Sequence, residues 1–126
     1  MTIDLTDDLR QITQAAKEFR KNAATQYANR FGYSDVEPYE VIRAVSGITL
    51  EIRRMHAERD PEWKPEIIPG GFSGHCVNQS EQKWIITSDL NAPVIRIRLG
   101  KKGWKDRHGN RYDLSDRPRK FYDYNF

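Results

Sequence analysis

Apolar residues in the first half of the chain recur at spacings of three and four. Leu5, Leu9, Ile12, Ala16, Phe19 and Ala23 form one such series, which predicts an amphipathic helix over residues 7–30. Thr6 is placed to cap it, and Asp7 and Asp8 suit the positive end of its dipole. Gly32 is a suitable stop. A second series, Tyr39, Ile42, Val45, Ile48, Ile52 and Met55, predicts a helix over 36–58. Ser34 or Asp35 can cap this one, and Pro38 is tolerable in its first turn. Gly47 interrupts the stripe at a cost of about 1 kcal/mol relative to Ala. The short link at 31–35 favours an antiparallel helical hairpin.

The pattern changes twice beyond residue 59. Residues 60–80 hold Pro61, Pro65, Pro69, Gly70, Gly71 and Gly74, and read as a long loop with one short strand at 66–68. From residue 82 the apolar period becomes two. Residues 83–88 read as a strand, and "SDLNAP" (88–93) as a turn. In 94–99, Ile95, Ile97 and Leu99 alternate with Arg96 and Arg98, the signature of a strand with one wet face. Residues 104–106 and 111–114 flank "RHGN" as a hairpin, with Gly109 or Asn110 supplying positive φ. Pro118 then ends regular pairing. The expected fold class is therefore α+β. The N-terminal helical hairpin would pack on a small C-terminal antiparallel sheet of three or four strands, all in one domain spanning 1–126.

Composition narrows the class. A chain of 126 residues, 37% hydrophobic and 31% charged, suits one globular core and is too apolar for wholesale disorder. No window resembles a membrane span, and the acidic start MTIDLTDDLR does not resemble a signal peptide, so a cytoplasmic location is expected. Cys76 is the single cysteine, which excludes an internal disulfide. The net charge of +3 is unevenly spread. Residues 1–92 carry 11 Lys+Arg against 14 Asp+Glu, whereas residues 93–126 carry 10 against 4. Such asymmetry points to an anionic partner, nucleic acid being the commonest.

Candidate chemistry concentrates in that basic quarter. Arg96, Arg98, Lys101, Lys102, Lys105, Arg107 and Arg111 are expected to gather on one face and hold phosphates, with Trp104 and Tyr112 either stacking on bases or serving the core. Nothing matches the RNP aromatics, zinc-finger spacing or KH loop of a named binding module. The tail, "RPRKFYDYNF", offers Phe121, Tyr122, Tyr124 and Phe126 as an alternative protein-docking segment, or as a cover for the sheet. "PGGFSGHC" lacks the lysine of a phosphate-binding loop, and the scattered histidines and lone cysteine lack metal-ligand spacing, so neither cofactor nor metal is expected. His75 beside Cys76 is a poor catalytic pair, because adjacent residues usually point apart, and His56 or His108 would serve Cys76 only if the fold brought one of them near. One enzymatic alternative is a small metal-independent ribonuclease, with His75 and His108 as acid and base and Arg96 and Lys83 on the phosphorane. The leading expectation is a non-enzymatic interaction protein that binds nucleic acid or another polyanion through residues 96–120. The alternative outside that class is a small subunit or inhibitor that docks on a larger complex through its tail and long loop.

Overall fold

The computed structural model describes residues 26–70 and 74–125. Most of the helix expected at 7–30 lies outside them. Within them there is no α-helix, and the chain forms a closed six-stranded β-barrel, so the α+β expectation is overturned. The strands are β1 (Tyr27–Phe31), β2 (Val36–Glu37), β3 (Tyr39–Ser46), β4 (Thr49–Arg59), β5 (Ile67–Ile68), β6 (His75–Cys76), β7 (Trp84–Ser88), β8 (Val94–Gly100), β9 (Gly103–Lys105) and β10 (Arg111–Ser115).

The helix expected at 36–58 is instead the β2–β3–β4 ribbon. Gly47, read as a blemish in a helical stripe, lies with Ile48 in the tight turn joining β3 to β4. The misleading spacing has a physical origin. The β3–β4 register shifts between Val41 and Arg43, and again between Ala44 and Ser46. Tyr39, Val41 and Ala44 stand opposite Arg54, Ile52 and Leu50, so the step along β3 is two and then three residues. Each bulge advances the alternation along β3 by one position, but the helical count takes in Ile42 and Val45, which are exposed, together with the buried Tyr39, Ile52 and Met55, so the spacing mixes apolar residues from both faces of the ribbon. The β-branched residues Val36, Val41, Ile42, Val45, Ile48, Thr49 and Ile52 favour the pleated form.

All pairings around the barrel are antiparallel. β3, β4, β8, β9 and β10 follow one another as neighbours, and β1 closes the ring by pairing with β3 at Tyr27–Glu40 and with β10 over Tyr27–Phe31 against Ser115–Arg111. β4 is the longest strand. Its first half pairs with β8 and its second half with β7, with residues 89–93 looping out between the two. Closure leaves none of the six strands as a bare sheet edge over its paired length.

The interior is filled by Ala28, Tyr39, Leu50, Ile52, Ile97 and Tyr112, with Val41, Ile95, Trp104 and Leu114 packed against them. The rings of Tyr39 and Tyr112 meet edge to face at 5.3 Å. Each large aliphatic or aromatic side chain buried here contributes about 1.5–3 kcal/mol from surface removed from water. A barrel of so few strands has room for side chains and none for a ligand, so any binding surface lies outside it.

Residues 117–125 wrap the outside. Asn29, 1% exposed, donates to the Arg117 carbonyl and accepts from the Arg119 N–H. Val36 and Phe121 exchange two backbone hydrogen bonds at 2.9 and 3.0 Å. The expected loop at 60–80 contains the β5–β6 ribbon and a 3-10 turn at Gln79–Glu81. Trp63 and Cys76 are buried there beneath the tail.

Candidate functional site

Alternation along β8 sends Ile97 into the barrel and leaves Val94, Arg96 and Arg98 exposed on the other face. Pairing then aligns charges across three strands. Arg98 stands opposite Lys105 on β9, and Lys105 stands opposite Arg111 on β10. Neighbouring strands are about 4.8 Å apart, so the three cations form a row roughly 10 Å long. Two loops flank it. The β8–β9 turn carries Lys101 and Lys102 and closes through Gly103 at φ 96°, a left-handed position that suits glycine. The β9–β10 loop carries Arg107 and His108.

Together these elements enclose a surface concavity of about 960 Å³, lined by Val94, Arg96, Arg98, Gly100, Lys101, Lys102, Lys105, Arg107 and His108 among others. Arg111 extends the cation row beyond it. Like charges placed directly opposite across strands oppose folding. Carboxylates do little to relieve this row. Among the described residues, Arg98, Lys101, Lys102, Lys105, Arg107 and Arg111 take part in no ion pair. Arg96 is the exception. It donates to Glu51 Oε2 at 3.2 Å, while Arg43 holds the other oxygen. Hydrogen bonds from Arg43, and then from Arg96, hold the Glu51 carboxyl below its usual range despite its partial burial.

Among the described residues one acid lines the concavity, Asp106, and it is occupied by its own loop. Its Oδ1 accepts from the His108 and Asn110 N–H groups at 2.9 and 3.0 Å, and its Oδ2 accepts from Asn110 Nδ2 and the Tyr112 hydroxyl at 2.8 and 2.9 Å. Burial works against the charge, but these hydrogen bonds outweigh it and hold Asp106 below the ordinary carboxylate range. Gly109 completes the turn at φ 86°. Burial pushes the Tyr112 phenol well above its usual value, so it stays protonated and donates. Asp106 thereby fixes the loop that presents Arg107 and His108.

The proposed site residues fall into distinct groups. The seven cations lie on the β8–β9–β10 surface, six of them around the concavity. Tyr112 is 2% exposed inside the barrel and Trp104 packs against the same core, so their rings point away from that surface. Of the ribonuclease set, Arg96 and His108 line the concavity. His75 lies in β6 and Lys83 faces Glu62 at 3.9 Å, and neither lines it. The described tail residues are tied down. Gln82 bonds Tyr122 through both its N–H and its carbonyl, Gln79 accepts from the Tyr124 N–H, and Tyr124 packs on Trp63 at 5.6 Å. Phe126 lies outside the described residues, as do residues 71–73 of the glycine-rich loop. Among the described residues, no group of three or more His, Cys, Asp or Glu is placed to hold a metal.

Sequence reasoning missed Asp106, although its signal was present. An aspartate opening "DRHGN" is a strong candidate to bond the backbone two residues on. The tail anchors Gln79, Gln82 and Asn125 carried no local signal, since their partners are 40 or more residues away. No protein family, curated protein or solved structure matches this chain.

Proposed function

We propose that the protein binds the phosphate backbone of nucleic acid through the concavity over β8, β9 and β10, and that it acts by binding and not by catalysis. The observation that carries this reading is the row Arg98–Lys105–Arg111, in register across three strands and without carboxylate partners among the described residues. A cluster of aligned like charges disfavours folding, and an anionic ligand relieves that repulsion on binding. Two guanidinium forks in the row suit phosphate oxygens, and the lysines add point charge. With Trp104 and Tyr112 turned into the barrel, affinity comes from phosphates, which carry no sequence information.

Fluorescence anisotropy with a labelled oligonucleotide tests the proposal. A row about 10 Å long contacts roughly three phosphates, so log K should fall with log salt at a slope of about −2 to −3. Arg98→Glu with Lys105→Glu should abolish binding while circular dichroism and Tm hold. Binding that ignores salt, or that survives the double charge reversal, overturns the reading.

A further inference from the structure

β7 lies beside the barrel and is paired on one side alone. Among the described residues its strand partner is β4, through five consecutive pairs from Arg59–Trp84 to Met55–Ser88 without a register shift, and no other hydrogen bond reaches its backbone. β2, β5 and β6 also stand outside the ring of six, but each has two residues, too few to template a partner. The sequence of β7, WIITS, carries none of the devices that guard an exposed edge: no charge, no proline and no bulge. Its β-branched residues suit a sheet, and Ile85, 47% exposed, shares the outer face with exposed Thr87.

This edge is complementary to itself. In an antiparallel pair, opposite residues carry their side chains on the same face. A two-fold axis relating two copies of β7 must therefore pass through a residue that faces its own equivalent. With Ile86 at that centre all five residues pair. Trp84 then faces Ser88 of the second copy, and Ile85 faces Thr87. The next pair outward, at both ends, is Lys83 opposite Asp89. Opposite charges facing each other across strands favour pairing. Centring on Ile85 would set Asp89 against Glu81, and centring on Thr87 would set Lys83 against Asn91. Both charged groups are accessible to a partner. Exposed Lys83 stands 3.9 Å from Glu62, a loose surface pair, and Asp89 uses one oxygen to accept from the Asn91 N–H at 3.0 Å.

From these observations we infer that the protein self-associates as a symmetric dimer, in which β7 pairs antiparallel with β7 of a second copy about Ile86. Each copy offers one such edge, so the contact closes at two. Five residue pairs bury well under the roughly 1,200 Å² of a standard interface, so the dimer is weak, with a Kd of about 10–500 µM.

Sedimentation equilibrium of the full chain, without nucleic acid and from about 5 µM to about 1 mM, should show monomer and dimer and nothing larger. Lys83→Glu sets like charges opposite each other at both ends and should weaken the dimer about tenfold at unchanged Tm. Adding Asp89→Asn, which keeps the oxygen that accepts from Asn91, should recover about threefold of that loss. Thr87→Lys, a charge placed on the exposed edge, should abolish the dimer. A chain that stays monomeric at about 1 mM overturns the inference. So does a dimer that ignores either Lys83→Glu or Thr87→Lys, or an assembly that grows beyond two.

Discussion

Replacing Asp106 with alanine removes four hydrogen bonds at once, and their surroundings set the size of the effect. The His108 and Asn110 N–H groups and Asn110 Nδ2 are exposed, so water replaces most of what they lose. Those three together contribute about 1.5–2.5 kcal/mol. The Tyr112 hydroxyl is different, because it belongs to a side chain 2% exposed in the core. Leaving that donor without its acceptor costs about 1–3 kcal/mol. The expected loss is therefore about 3–5 kcal/mol, a large share of the stability of a domain this size. Urea denaturation at pH 7 measures it as a fall in midpoint at unchanged slope. A cycle with Tyr112→Phe and the double variant isolates the buried bond, with a coupling of about 1–2 kcal/mol. Acid should erase part of the difference. Because Asp106 is held below its unfolded value, its contribution is complete above pH ~4 and drains away as pH falls through the lower folded value. The gap between wild type and Asp106→Asn should narrow over that window. A loss under about 1 kcal/mol, or additivity with Tyr112→Phe, would refute the role assigned to this carboxylate.

Other expectations concern the surroundings of the site. Glu51→Gln should free Arg43 and Arg96 from their shared carboxylate and tighten oligonucleotide binding, measured as a lower Kd at fixed salt; weaker binding would contradict the placement of Arg96 at the site. Asn125 exchanges hydrogen bonds with the Cys76 N–H and carbonyl at 2.7 and 2.8 Å. Asn125→Ala should therefore expose Cys76 and speed its reaction with a thiol reagent, and an unchanged rate would show that the tail is not what shields it.

The C-terminal strands were legible because each part of their pattern agrees with its neighbours. Ile95, Ile97 and Leu99 alternate cleanly with arginines, Gly109 sits where the turn demands positive φ, and no bulge disturbs β8 against β4. The clustering of cations followed from the same alternation. The stretch 36–58 was misread because exposed Ile42 and Val45 fell at helical intervals from buried Tyr39, Ile52 and Met55, while the two bulges in β3 broke the alternation that would have marked a strand, although the residue types were those of a strand. Gly47 was the discordant mark in the helical reading, and it proved to be the turn.

Local patterning and charge were thus settled along the chain itself: where β7 to β10 run, which of their faces is wet, and that the basic residues crowd into one quarter of it. Closure was decided only in three dimensions. β1 pairs with β10 across 80 or more residues, and nothing local to either strand names the other as its partner. That contact turns the sheet into a barrel, encloses Tyr112, and leaves the cations no place but the outer surface. The physical reason is that alternation specifies which face of a strand is buried, while the burying partner is chosen by packing among elements distant in sequence.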